Sequence, residues 1–73
     1  MGYRVSVYQT YTVGGSVYAL ETSRVIRCRF SKARNIARQI YKQLSMDNKD
    51  GTLYVALFKG EERVFLMSKE RAS

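Results

Sequence analysis

From Tyr3 to Val13 the chain alternates in steps of two. Tyr3, Val5, Val7, Tyr11 and Val13 fall on one face, interrupted by Gln9, while Arg4, Ser6, Tyr8, Thr10 and Thr12 fall on the other. Period-two alternation of aromatic and β-branched residues predicts a half-buried strand. Gly14-Gly15-Ser16 predicts a tight turn, because glycine reaches positive φ without steric cost. A second strand follows over Val17 to Arg29, with the polar pair Thr22-Ser23 as the place for a bulge or bend. At Ser31 the period changes. Ala33, Ile36, Ala37, Ile40, Tyr41 and Leu44 recur at helical spacing, which predicts an amphipathic helix from Ser31 to Ser45 with the Ser31 hydroxyl as its N-cap. Asp47-Asn48-Lys49-Asp50-Gly51 ends the helix, and Gly51 is the expected positive-φ residue. Thr52 to Lys59 is a dense apolar strand. Gly60-Glu61-Glu62 turns the chain, and Arg63 to Met67 is the fourth strand. Residues 1–2 and the polar tail Ser68 to Ser73 are expected to fray.

The order β-β-α-β-β in a chain of 73 residues predicts one domain of the α+β class. One helix must cover one face of a four-stranded, mainly antiparallel sheet, since neither buries its apolar side alone. The helical connection is long enough for a crossover that makes strands two and three parallel neighbours.

Charge alters the picture. The chain carries a formal net charge of +7, and it is unevenly spread. Between Thr22 and Met46 lie seven cations, Arg24, Arg27, Arg29, Lys32, Arg34, Arg38 and Lys42, with no acid among them. A helix needing only solubility mixes in glutamates for i,i+4 pairs. Here the helical wheel sets Arg34, Arg38 and Lys42 opposite the Ile36/Ile40 stripe, in mutual repulsion that a polyanion would relieve. These seven residues are the expected phosphate contacts.

Strand parity adds a second surface. If Val5, Val7, Ile26, Cys28, Leu53, Val55, Leu57, Val64 and Leu66 face the helix, the opposite face carries Arg4, Ser6, Tyr8, Thr10, Val25, Arg27, Arg29, Tyr54, Ala56, Phe58, Arg63, Phe65 and Met67. Aromatics and arginines on an uncovered sheet either stack bases or pack against a second copy of the chain, with Phe58, Phe65 and Met67 as the dimer core. Tyr8, Tyr54, Phe58, Phe65 and Met67 are thus the expected interaction surface.

Catalytic chemistry has little to work with. There is no histidine, and the single Cys28 alternates with Ile26 and Phe30 as a small buried hydrophobe. The usual Cys/His zinc sites and an internal disulfide are excluded within one chain. No metal, cofactor or enzymatic activity is expected. No apolar run reaches the roughly 18–20 residues of a membrane span, and Met1-Gly2-Tyr3-Arg4 leads straight into the first strand, so a cytoplasmic location is expected. The element order is neither that of the double-stranded-RNA domain nor that of the RNA-recognition motif. The function this leaves is a small basic nucleic-acid-binding module of low sequence selectivity, acting as a homodimer. The alternative is a regulator or inhibitor that docks the same basic face on an acidic protein.

Overall fold

A computed structural model describes residues 2–70. Its elements are β1 (Gly2–Val13), β2 (Ser16–Arg27), α1 (Phe30–Asp47), β3 (Leu53–Lys59) and β4 (Glu62–Lys69). All neighbouring strands are antiparallel, in the order β2-β1-β3-β4. The expected parallel contact between strands two and three is therefore replaced. β2 and β3 do run the same way, but β1 lies between them and pairs with both. Antiparallel pairs are slightly more stable per residue, and the long first hairpin forms them from local contacts.

The two hairpins turn differently. Gly14 and Gly15 both have positive φ, +58° and +83°, between the paired Val13 and Ser16. That is the type I′ pattern, whose twist matches the flanking strands. In the second hairpin Gly60 alone is positive, between the paired Lys59 and Glu62, as in a type II′ turn. Gly51 is not in the positive-φ region, contrary to expectation. A Cβ there would collide with the Thr10 carbonyl oxygen and lie 2.5–2.6 Å from the Asn48 amide atoms. The glycine serves close approach rather than backbone handedness.

The core forms where α1 crosses the sheet. Ala33 and Ala37 are fully buried, and these small side chains let the helix axis settle close over Leu53, Val55 and Leu57, also fully buried. Val5 and Val7 of β1 and Ile26 of β2 complete it, with Tyr3 closing the end against Phe30 at 5.9 Å between ring centres. The helix starts at Phe30, one residue ahead of the expected start, and its N-cap is Arg29 with no side-chain cap, so Ser31 does not cap it. The Arg29 carbonyl accepts the first helical bond, from the Ala33 amide.

The helix C-terminus is tied by Asn48. Its backbone N–H donates to the Leu44 carbonyl at 2.8 Å, its side-chain amide donates to the Thr10 carbonyl at 2.6 Å, and its Oδ1 accepts from the Gly51 amide at 3.0 Å. Lys69 reaches from β4 to donate to the Asn48 carbonyl at 2.5 Å and the Ser45 carbonyl at 3.4 Å. A cation on the terminal carbonyls complements the helix dipole. Ser68 and Lys69 lie in β4, paired with Tyr54 and Leu53, and Gly2 pairs with Arg27. The expectation for residues 1 and 71–73 lies outside the described residues.

No bulge occurs at Thr22-Ser23, where the register runs unbroken. The irregularity is in β4: Leu57 pairs with Phe65 and Phe58 with Arg63, leaving Val64 as the extra residue. Thr10 is still held, its N–H donating to the Thr52 carbonyl at 2.9 Å, and past it β1 pairs only with β2 among the described residues. The tip of the first hairpin, residues 11–18, therefore projects as a two-stranded arm, and the molecule is drawn out to 42 × 20 × 16 Å.

Candidate nucleic-acid interface

The helix covers one face of the sheet and leaves the other open. Cross-strand registers place side chains on the open face in rows. One row reads Val25, Arg4, Phe58, Arg63. The next reads Ser23, Ser6, Ala56, Leu66, and the third Glu21, Tyr8, Tyr54, Ser68. Phe58 thus lies between two arginines, and the Arg4 guanidinium sits 4.5 Å from its ring centre. Arg27 stands one row beyond, opposite Gly2. Tyr8 and Tyr54 form a ring pair at 6.1 Å, tilted by 45°. The small residues Ser6 and Ala56 separate the two aromatic positions, which are about 13 Å apart along the strand at about 3.3 Å per residue. The Tyr54 hydroxyl donates to a Glu70 carboxylate oxygen at 2.9 Å, and that bond is the main reason its phenol titrates above the ordinary tyrosine value.

Tyr8, Tyr54, Phe58 and Arg27 stand where parity placed them. Phe65 and Met67 do not. The extra residue at Val64 reverses the parity of β4, so Phe65 and Met67 pair with Leu57 and Val55 on the helix face. Leu66 takes the open face instead, opposite Ala56. Phe65 packs against the core, with the Arg38 guanidinium 5.7 Å from its ring centre.

The seven cations do not form one patch. Arg27 is on the open face. Arg24 is on the helix-side face of the β2 edge, across from Val5, and Arg29 sits at the helix start. Lys32, Arg34, Arg38 and Lys42 are on the helix, on the far side of the sheet from the aromatic rows. Arg34 is half-buried rather than free in water. Its guanidinium lies 5.7 Å from the Phe30 ring centre, and its Nε is buried without a hydrogen-bond partner among the described residues. Lys32, Arg38 and Lys42 are exposed as expected. The residues that sequence reasoning left out of the site are Arg4 and Arg63. Both were on the correct face by parity. What singles them out is the register that brings them to either side of Phe58.

Among the described residues no helix is long and apolar enough to cross a membrane. Compared with known protein families, curated proteins and solved structures, the chain matches none.

Proposed function

We propose that this chain is a small nucleic-acid-binding module of low sequence selectivity, which holds single strands on the open sheet face. The observation that carries it is Phe58 set between Arg4 and Arg63, two rows from the Tyr8–Tyr54 pair, on a face with no helix over it. Aromatic faces stack bases of any sequence, arginines meet the phosphates between them, and the guanidinium of Arg4 extends the platform as a further stacking plane. With Phe65 and Met67 on the helix side, the large apolar side chains left on this face, Val25, Phe58 and Leu66, are interleaved with Arg4, Arg27 and Arg63, which favours a charged ligand there. The role is binding rather than catalysis. The reading includes a homodimer as the working unit and the cytoplasm as its place of action.

The test is fluorescence anisotropy with labelled single-stranded DNA, single-stranded RNA and duplex at about 50 mM salt, where electrostatic binding is strong. Single strands should bind better than duplex. If Arg4, Arg27 and Arg63 neutralise about three phosphates, log K should fall against log salt with a slope near −2. A preference for duplex that is abolished by Arg34→Glu with Arg38→Glu would move the site to the helix. No binding of any nucleic acid, together with a lysate partner that survives nuclease, would replace this reading with the acidic-protein partner.

A smaller prediction concerns Glu70, whose carboxylate sits beside the aromatic pair and opposes an incoming phosphate. Glu70→Gln should tighten single-strand binding a few-fold at low salt and let the Tyr54 phenol fall back toward its ordinary value. Unchanged affinity would place the bound strand away from Tyr54.

A further inference from the structure

Of the seven cations between Thr22 and Met46, only Arg27 stands on the open face. The segment that carries them builds something else. It supplies the wall and the outer lip of a groove of about 360 Å³ on the helix side of the sheet. Val5 and Val7 of β1 and Ile26 of β2 are its floor, and Ile36, Ile40 and Leu44 of α1 are its wall. The groove exists because the fully buried Ala33 and Ala37 seat the helix mainly on β3, over Leu53, Val55 and Leu57. The flank of α1 is left to overhang the hairpin, and β2 keeps a single buried residue, Ile26.

The shape selects a slim occupant. Val5, Val7 and Ile26 are 3–9% exposed, so the floor lies deep between wall and lip, out of reach of a flat protein surface. The trough runs from Val5 to Gln9 and from Ile26 to Thr22, about 13 Å at about 3.3 Å per residue. A saturated chain of about ten carbons has that length, with C–C bonds of about 1.5 Å. The volume is at the small end of ligand sites, roughly 300–1,000 Å³, which are mostly apolar with a few polar groups that fix orientation. Charge selects the head group. Thr22 and Arg24 lie on the lip, and Arg24 is the one charged side chain among the described residues that line the groove. It is exposed, and among the described residues its side chain makes no ion pair or hydrogen bond. No acid lies between Thr22 and Met46, so lip and wall together hold a positive field over the mouth.

We propose that this groove binds a free fatty carboxylate of medium chain length, its tail laid over Val5, Val7 and Ile26 beneath the helix flank and its carboxylate on the Arg24 guanidinium. The apolar contacts supply the affinity, and the arginine selects the anion and sets its orientation. The site lies across the sheet from Phe58 and the Tyr8–Tyr54 pair and does not depend on nucleic-acid binding.

Isothermal titration calorimetry with straight-chain carboxylates tests it. Decanoate should bind with a dissociation constant of about 1 mM or below. From hexanoate upward each added methylene should tighten binding about three- to fourfold, and the gain should stop once the tail outgrows the trough, between decanoate and myristate. Decylammonium, with the same tail and the opposite charge, should bind about tenfold more weakly. Arg24→Glu should exchange the two preferences, so that decylammonium then reports an intact groove. Lys59→Glu makes the same change of net charge at the far end of β3 and should leave decanoate binding within about twofold. No saturable binding of decanoate up to about 5 mM would overturn the proposal. Equal affinity for the two head groups would do the same, as would a gain per methylene that persists through myristate, the behaviour of surface adsorption. If decanoate is ignored and wild type sediments as a dimer that Ile40→Glu dissociates, the groove belongs to a second copy and the proposal falls.

Discussion

Replacing Tyr54 and Phe58 together with alanine is expected to weaken single-strand binding by at least about 30-fold while the fold persists. Each stacked base contributes about 1–3 kcal/mol by this kind of truncation, so two platforms lost together give at least about 2 kcal/mol. Both side chains sit on the open face, away from the buried cluster of Val55, Leu57 and Ala37. The far-ultraviolet spectrum should therefore be preserved. The salt slope should change little, because Arg4, Arg27 and Arg63 remain to meet phosphates. This separates stacking from charge: Arg4→Ala with Arg63→Ala should flatten the slope as well as weaken binding. A double aromatic variant that loses less than about threefold would remove base stacking from the mechanism.

The second large effect is on stability. Gly51→Ala should lower the unfolding free energy by about 3 kcal/mol or more. The new methyl group would press on the Thr10 carbonyl and the Asn48 side chain, both fixed in place. Overpacking costs about 1–3 kcal/mol, and each of the two Asn48 bonds displaced adds about 0.5–1.5 kcal/mol. A chain of 73 residues has roughly 4–11 kcal/mol in total, so a large share is lost. The melting temperature should drop by about 12–24 °C. Gly14→Ala is the informative contrast: its φ is positive but a Cβ there meets nothing within 4 Å, so the cost should be about 1 kcal/mol. Equal losses at the two glycines would show that the close approach around Gly51 relaxes freely.

Five elements were legible in the chain because their periods are strong. The Tyr3–Val13 alternation and the Ala33–Leu44 helical stripe each have one dominant apolar face, and each became the expected element. Gly14-Gly15 and Gly60 also mark the turns they form. The facing of β4, not its presence, was illegible for a definite reason. Val64, Phe65, Leu66 and Met67 are four consecutive apolar residues, so neither parity leaves a polar residue misplaced and the extra residue casts no signal. The assignment of Phe65 and Met67 to the open face failed there. The roles of Gly51, Asn48 and Lys69 were hidden for another reason: they depend on partners 21–41 residues away in sequence, Thr10 for the first two and the helix end for the third. Charge density along the chain likewise could not show that Arg27 and the helix cations would end on opposite sides of the sheet.

The extra residue in β4 also shapes how this chain can evolve. A point substitution changes one side chain at one place. Loss of the Val64 codon would remove the extra residue and leave the facing intact: Arg63 already pairs with Phe58 and Phe65 with Leu57, so the strand would become regular with Phe65 and Met67 still beneath the helix. The charged, aromatic face would keep the same residues. For this strand a one-residue insertion is absorbed as a bulge, and an ancestor without Val64 would have shown its surroundings the same surface from a shorter string of letters.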